Sequence, residues 1–403
     1  MISYLSRFCV ALHLLAAASL VLLPNLVAGA ATLPPVSVPT AQQLSFNPVQ
    51  ATAGNPTPRA LITVSPGFVF GSQTITEDTV WRGEVLLEGA VVIAPQATLT
   101  IESGTVIRSR RSSADLGDMP VLLIQGRCVA AGTREKPILF TSSYVLPQAG
   151  DWQGVVILAS EKKNLFEQCR FEGAETGLEA LYSNITIKNS SFEKCLTGAR
   201  FQDCLLVQTG GGARDCGTGI SISESEADLR ELEITGNGRG MNIVRTSINL
   251  IGSTITGTER EALSIEKSRV KIAGNNIISN GSGMKLLECD GTVSTNRLVK
   301  NTEYGLSIGQ SRIKVNSNEI SGNPKVGLRA EDGKGVAWGN AIMANGLYDI
   351  YNAGVDDFRA FGNWWGTESA ADAGKRIYDR RTDGSKGRVL YLPVLRVKPQ
   401  IGS

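Results

Sequence analysis

The chain has 403 residues, with 40 basic side chains against 38 acidic ones and a net charge of +2. Such a balance supplies no field to gather nucleic acid or an anionic membrane surface. Forty-four glycines, only fifteen prolines and no long amphipathic helical pattern fit an all-β chain rich in turns.

Residues 1–30 have the form of a secretory signal: Arg7 at the start, an apolar run from Phe8 to Leu23, and the small residues Ala28-Gly29-Ala30 before Ala31. An exported protein, periplasmic or extracellular, is the expectation, and no stable membrane span remains once the signal is removed. The sole histidine, His13, leaves with it, which removes imidazole chemistry from the mature fold. Six cysteines remain, Cys128, Cys169, Cys195, Cys204, Cys216 and Cys289, an even count that permits disulfides in an exported protein. Residues 31–64 are rich in Pro, Thr, Ala and Val, with Arg59 as their one charge, and read as a flexible spacer.

A β-solenoid is expected over 65–395, with N-terminal rungs in 80–160, regular repeats in 166–365 and a closing cap in 366–395. Its first clear strands start near Trp81 and run through Val85 to Ile93, then Ala97 to Ile107, turning on Gly89, Pro95 and Gly104. Val121 to Val129 and Pro137 to Thr141 continue the pattern. Inserted loops, Arg108 to Pro120 and Ser142 to Gly150, interrupt it, and loops on solenoids often carry binding.

From Gly177 the repeat becomes regular. Gly177, Gly198, Gly219, Gly240, Ala262, Gly283, Gly305, Gly327 and Asp349 open successive units 21 or 22 residues apart. After each opener an apolar residue, an outward residue and usually a second apolar one alternate, as in Ile220-Ser221-Ile222, the mark of a short strand with one buried face. Two further short apolar sites complete each unit, for example Ile248/Leu250 and Ile255. Three strands per unit, stacked about 4.8 Å above their copies, make a single-stranded parallel β-helix. A leucine-rich repeat is the rival, since Val270-x-Ile272-x-x-Asn275-x-Ile277 matches its core string; but Ile and Val dominate, and return segments such as Ser279-Asn280-Gly281-Ser282-Gly283 disfavour helix.

Two turn columns are rich in asparagine. One holds Asn276, Asn296, Asn318, Asn340 and Asn363; the other holds Cys195, Cys216, Asn237, Asn280, Asn301, Asn323 and Asn345. Asn tolerates left-handed turns and its amide can bond the amide one coil away, so a structural role is expected. Cys195 and Cys216 share a register in adjacent coils, as small buried residues or as a bridge.

Five residues past each opener stands a charged column that includes Asp203, Glu224, Arg245 and Lys267. Two carboxylates one coil apart suit a retaining glycosidase, and a neighbouring base suits a lyase that removes a proton beside a uronate. The plainer reading is an ion ladder of alternating sign. Near the end, Trp364 and Trp365 offer either an indole face for a sugar ring or a plug for the core.

Gly126-Arg127-Cys128-Val129-Ala130-Ala131-Gly132-Thr133, Trp152-Gln153-Gly154-Val155-Val156 and Gly362-Asn363-Trp364-Trp365-Gly366-Thr367 resemble strings of exported bacterial right-handed parallel β-helix proteins with the pectate-lyase-like fold. The resemblance, over about residues 80–395, implies that fold and an association with carbohydrate. The chain departs from the enzymes of the class. Arg312-Ile313-Lys314 precedes Asp356-Asp357, the reverse of the polygalacturonase-like order, and the clustered aspartates of calcium-dependent pectate lyases are missing. Met241 and Met284 fall on core positions, which leaves no soft-metal set of the kind copper delivery needs. The expectation is therefore a scaffold or binding protein without metal or cofactor, engaging polysaccharide or a cell-envelope partner; the alternative is a polysaccharide lyase or glycoside hydrolase acting through the Asp203–Lys267 column.

Overall fold

A computed structural model describes residues 59–62, 67–111 and 119–401. The signal expected over 1–30 and most of the spacer expected over 31–64 lie outside the described residues. The described chain winds through about 13 turns of parallel β-helix. One coil shows the plan: Arg239–Val244 forms a first face, Ser247–Ile251 a second and Thr254–Thr256 a third, before Glu261–Glu266 returns to the first. Every pairing between these strands is parallel and in register, so Met241 lies between Ile220 and Leu263, and Ile255 between Ile234 and Ile277. The first coil already opens with Phe68–Phe70, Gln73–Ile75 and Thr79–Trp81, ahead of the strings that mark the solenoid in sequence.

The alternation of the sequence becomes an inside and an outside. On the first face the inward positions Leu178, Ala199, Ile220, Met241, Leu263, Met284, Leu306 and Leu328 are fully buried. On the third face Phe140, Phe171 and Phe192 stack, with ring centroids 4.6 and 5.1 Å apart, and aliphatic residues take over from Ile234 onward. Openers are small because an added Cβ at Gly198 or Gly219 would stand 2.5 Å from the carbonyl of the next opener.

Most bends of the regular coils are made by one residue with positive φ, followed by a polar side chain turned inside that hydrogen-bonds the neighbouring coil; Leu232 and the glycines 210–212 are exceptions. In the bend between second and third faces this inner residue is Asn275, Asn296, Asn318, Asn340 and Asn363. Asn296 Oδ1 accepts from both the backbone N and Nδ2 of Asn275, at 2.9 Å each, while Asn296 Nδ2 donates to Ile272 O and Asn318 Oδ1. The first amide of the ladder is thus Asn275. Asn276, expected in that column, instead begins the strand Asn276–Ile278, paired with Thr254 and Arg297. The other amide ladder runs Asn280, Asn301, Asn323, Asn345 and ends on Asp349; Asn237 stands alone above Cys216, whose N–H donates to Asn237 Oδ1 at 2.9 Å. Cys195 and Cys216 are unbridged in this column, with Cys195 N donating to Cys216 Sγ at 3.4 Å.

Two additions sit on the stack. Arg59 clamps Asp151 with two hydrogen bonds and lies 4.0 Å over the Tyr144 ring, while Leu61 makes an antiparallel bridge to Tyr144. At the far end a helix, Ala370–Lys375, starts on Ser369, which accepts from Asp372 N, and the segment after it closes the coil. No helix among the described residues is long and apolar enough to cross a membrane.

Candidate functional site

The charged column, read as an ion ladder with catalysis as the alternative, is one of the bends. Tyr182, Asp203, Glu224, Arg245, Lys267, Glu288, Gln310 and Asp332 all have φ between 45° and 54° and are the single left-handed residues between the first and second faces. Their neighbours Cys204, Ser225, Thr246 and Ser268 turn inside, the backbone N–H of each of the first three donating to the next side chain, as in Thr246 N to Ser268 Oγ at 3.0 Å. The bend residues therefore point away from the stack, and Asp203, Glu224, Arg245 and Lys267 are all exposed. Glu224 is bonded to Arg245, with Nε 2.8 Å from Oε1, and Lys267 lies 3.1 Å from Glu266 and 3.8 Å from Glu288. The hydrogen bond to Glu266 and the charges of Glu288 and Glu266 push the Lys267 ammonium up from its ordinary value, which is the wrong direction for a base. Glu224, Arg245 and Lys267 pair with neighbouring charges in solvent, while Asp203 lines a shallow depression with Glu161 and Tyr182, so the four share no one site for a substrate atom.

The tryptophans divide. Trp365 is 3% exposed, edge-on to Tyr391 at 6.3 Å, so its indole fills the end of the core and offers no face to a sugar. Trp364 is half-buried and extends the third face by one bridge to Ala341.

A depression of about 390 Å³ lies elsewhere, on the third face of the N-terminal coils. Its floor is the outward ladder Val106–Leu139–Arg170–Ser191, four residues in parallel register. One wall is the loop 132–137, carrying Arg134 and Pro137 and held down by Gly132 N to Glu167 O at 2.8 Å. The other wall is the bend at Gln168 and Asn189, whose φ values of 51° and 46° throw both side chains outward. Among the described residues the Gln168 and Asn189 amides and the Arg134 guanidinium have no side-chain hydrogen bond or ion pair, while Arg170 lies 3.9 Å from Glu172 and Ser191 Oγ donates to Glu193. Cys169 lines the same depression, but burial pushes its thiol up, so it is no nucleophile.

Two family models match over most of this stack: a pectate-lyase-like β-helix domain over residues 73–182 and a right-handed β-helix region over 200–345. The chain is a right-handed parallel β-helix repeat protein. Similar solved structures include the periplasmic alginate epimerase AlgG, with TM-score 0.48 and 16% identity over 76% of this chain and 80% of that one. Others are the mannuronan C-5 epimerase AlgE4 A-module of Azotobacter vinelandii, at 0.35 and 13% over 84% and 91%, and a catalytic domain of a GH87 α-1,3-glucanase, at 0.36 and 12% over 78% and 62%. No curated protein matches the chain.

In this β-helix protein the repeat pattern singled out side chains that recur, whereas the depression is built from side chains that do not. Arg134 comes from a loop, Gln168 and Asn189 from one bend, and Arg170 and Ser191 from the face beyond it. The sequence signal that points there is the string Gly132 to Pro137, a loop of charge and turn residues between two strands. A second unforeseen feature is the cluster Tyr348, Tyr351 and Tyr378 on the outer first face, where Tyr351 and Tyr378 stack at 4.6 Å and Tyr348 meets Tyr378 edge-on. Among the described residues no group of three or more His, Cys, Asp or Glu side chains is placed to hold a metal ion.

Proposed function

We propose that this protein is an exported, non-catalytic β-helix module that binds polysaccharide of the cell envelope or its surroundings through the depression at Arg134, Gln168, Arg170, Asn189 and Ser191. The observation that carries the reading is that unspent polar groups, on Arg134, Gln168 and Asn189, rim a floor whose Val106 and Leu139 are apolar. A pyranose presents apolar C–H faces and a rim of hydroxyls, and a site for it needs an apolar surface with a few fixed donors and acceptors around it. Val106, Pro137 and Leu139 supply the surface. The amides of Gln168 and Asn189 each offer donor and acceptor, and lie on a rigid stack. The signal-like residues 1–30 support export.

Catalysis through the Asp203–Lys267 column has less behind it, because those side chains are exposed and Glu224, Arg245 and Lys267 pair with neighbouring charges. The test is a glycan-binding survey with the mature protein, followed by titration of the Gln168→Ala and Arg170→Ala variants, together with assays for reducing-sugar and unsaturated-uronate release. Binding that falls at least tenfold in the variants, with no product released, is expected. Product release abolished by Asp203→Asn would replace this reading with the enzymatic one.

A further inference from the structure

The outward side chains of the second face form rows along the solenoid axis, and in the later coils its middle row runs Lys271, Thr292, Lys314, Val336 and Arg359, one residue per coil. The cations stand two coil steps apart, about 9.6 Å. Asp228 lies two coils before Lys271 in the same row and Leu390 one coil after Arg359, and no acid stands in the row between them. Among the described residues the Lys271, Lys314 and Arg359 side chains have no hydrogen bond or ion pair, and all three are exposed. Arg269, Lys334 and Arg388, on the flank toward the first face, are exposed as well. The acids of that flank are engaged: Asp290 lies 3.1 Å from Arg312 and Glu288 3.8 Å from Lys267, while Asp332 accepts from Val355 N, Asp356 from Gly333 N and Asp357 from Arg388 N. The flank toward the third face is different in kind. Its row is Ala273, Ser294, Asn316 and Trp338, with Phe361 in the next coil, and the bend beyond it is Gly274, Thr295, Ser317, Gly339 and Gly362. None of these is charged, and past the bend Glu319 is held by Arg297 and Lys398. Phe361 is 43% exposed and Trp338 half-buried, so two aromatic side chains lie beside the Lys314–Arg359 end of the cation row.

We infer that this strip binds a single extended acidic polysaccharide chain parallel to the solenoid axis, its rings over the uncharged row and its carboxylates against Lys271, Lys314 and Arg359. In an extended β-1,4-linked chain each ring is turned over relative to the last, so carboxylates on one edge come from every second ring, a repeat close to the two-coil step of the cations. From Lys271 to Arg359 is four coil steps, about 19 Å, which places the first, third and fifth rings against the three cations. Carboxylates of the intervening rings point over the bend, where the residues are small and no acid repels them. Trp338 and Phe361 meet the apolar C–H faces of rings at one end, and Ser294 and Asn316 hydrogen-bond ring hydroxyls at the other. The strip is one row of cations wide, which suits one chain; a nucleic-acid duplex presents two rows of phosphates, and a bilayer would need apolar side chains along the whole face, whereas the exposed Leu390 and Leu392 stand only at its end. This surface is separate from the Arg134 depression, which lies on the third face of the N-terminal coils, and shares with it only the class of ligand.

The probe is a hexamer of β-1,4-linked glucuronate, compared by calorimetry with cellohexaose, which has the same backbone without carboxylates, and with the glucuronate trimer, which spans only two of the cations. The charged hexamer binds more tightly than either by about tenfold or more, and high salt removes its advantage over cellohexaose. Combining Lys271→Ala, Lys314→Ala and Arg359→Ala brings the charged hexamer down to the affinity of cellohexaose and leaves cellohexaose unchanged, whereas Phe361→Ala weakens both hexamers. Gln168→Ala and Arg170→Ala, in the depression, leave the preference for the charged hexamer in place. All of the strip substitutions are at exposed positions, and an unchanged melting curve checks that the variants fold. A charged hexamer that binds no more tightly than cellohexaose, or a preference that survives the triple variant, overturns the strip; a preference lost in Arg170→Ala overturns it too and gives the acidic ligand to the depression. A trimer as tight as the hexamer overturns the alignment on three cations. Vesicles of phosphatidylcholine and phosphatidylglycerol in equal parts are the last arm: binding to them that the triple variant abolishes, with no preference for the charged hexamer, overturns the polysaccharide in favour of a membrane surface.

Discussion

The coils before Ala213 and those after Leu232 solve the same packing problem with different chemistry. In the earlier set the third-face core is the aromatic stack Phe140, Phe171 and Phe192, and the inner bend residues beside it are Cys169, Ser190 and Gly211. In the later set the core is Ile234, Ile255, Ile277, Leu298, Ile320 and Ile342, and the bend becomes the ladder Asn275 to Asn363. An aromatic stack needs only that rings meet face to face, so it tolerates coils of unequal length. An amide ladder needs each Oδ1 to meet two donors of the neighbouring coil, so a register slip of one residue breaks several bonds together. The loops, and with them the Arg134 depression, occur where the ladder is absent.

The comparison is broken most directly at Phe171, which sits between two rings and is fully buried. Phe171→Ala removes both contacts and leaves a cavity, for an expected loss of about 4 kcal/mol by urea denaturation. A cost near 1 kcal/mol would mean that the aromatic stack does not organise the early coils. Next comes the ladder. Asn296→Ala deletes two donations and orphans two donors on Asn275, all away from water, for about 3 kcal/mol, whereas Ser190→Ala, at the equivalent bend in an earlier coil, removes a hydroxyl bonded to Lys188 O and Cys169 N and costs about 1 kcal/mol. Equal costs would erase the distinction between the two regions.

Gln208 stands at the junction. It points into the core between Ile187 and Leu229, is fully buried, and neither side-chain Oε1 nor Nε2 has a partner. Gln208→Leu replaces an unpaired amide with the residue type of its neighbours and is expected to stabilise by about 1 to 2 kcal/mol, read as a higher melting temperature. A destabilised variant would show that the amide has a function inside the stack.

The period of the coils was legible because one strand pattern is repeated, and each repeat confirms the last. Inward positions such as Met241 and Leu263 follow from alternation alone. The asparagine ladder was legible except at its start, where Asn275 and Asn276 are adjacent; the 21-residue step back from Asn296 selects Asn275, and only the register of Asn276 with Thr254 and Arg297 shows the other to be a strand residue. The charged column was visible as a column, but not as a bend, because a left-handed φ at Asp203 or Lys267 leaves no mark on residue type when Glu, Arg and Gln occupy the same place. The Arg134 depression was harder to read, since one wall is the loop 132–137, which has no counterpart in other coils, and Gln168 and Asn189, though one 21-residue step apart, differ in residue type from the rest of their bend column.

The smallest effect sharpens the comparison at the ladder's end. Asp349 stands where earlier coils have a glycine opener, and its Oδ1 accepts from Asn345 N and Nδ2 at 3.1 and 2.8 Å, while Oδ2 lies 3.3 Å from Arg376. Burial pushes this carboxyl up from 3.8 against those bonds. A folded carboxyl that holds its proton more tightly than the unfolded one favours the fold most at low pH, and that contribution declines as pH rises from the unfolded value through the raised folded one. Asp379 slopes the opposite way: burial pushes it up, but Arg381 and the amides of Val389 and Arg381 outweigh this and hold it below 3.8, so its contribution is present above that value and is lost as pH falls. Asp349→Asn keeps an acceptor for Asn345 and removes the proton, so only the Asp379 type of slope remains. Urea midpoints measured from neutral pH down toward 4 should therefore be supported by Asp349 in the natural chain and lack that support in the variant, the loss from Asp379 setting in only below that window. Parallel curves would mean that the ladder ends on a carboxylate whose protonation the fold does not sense, and that Arg376 alone sets its charge.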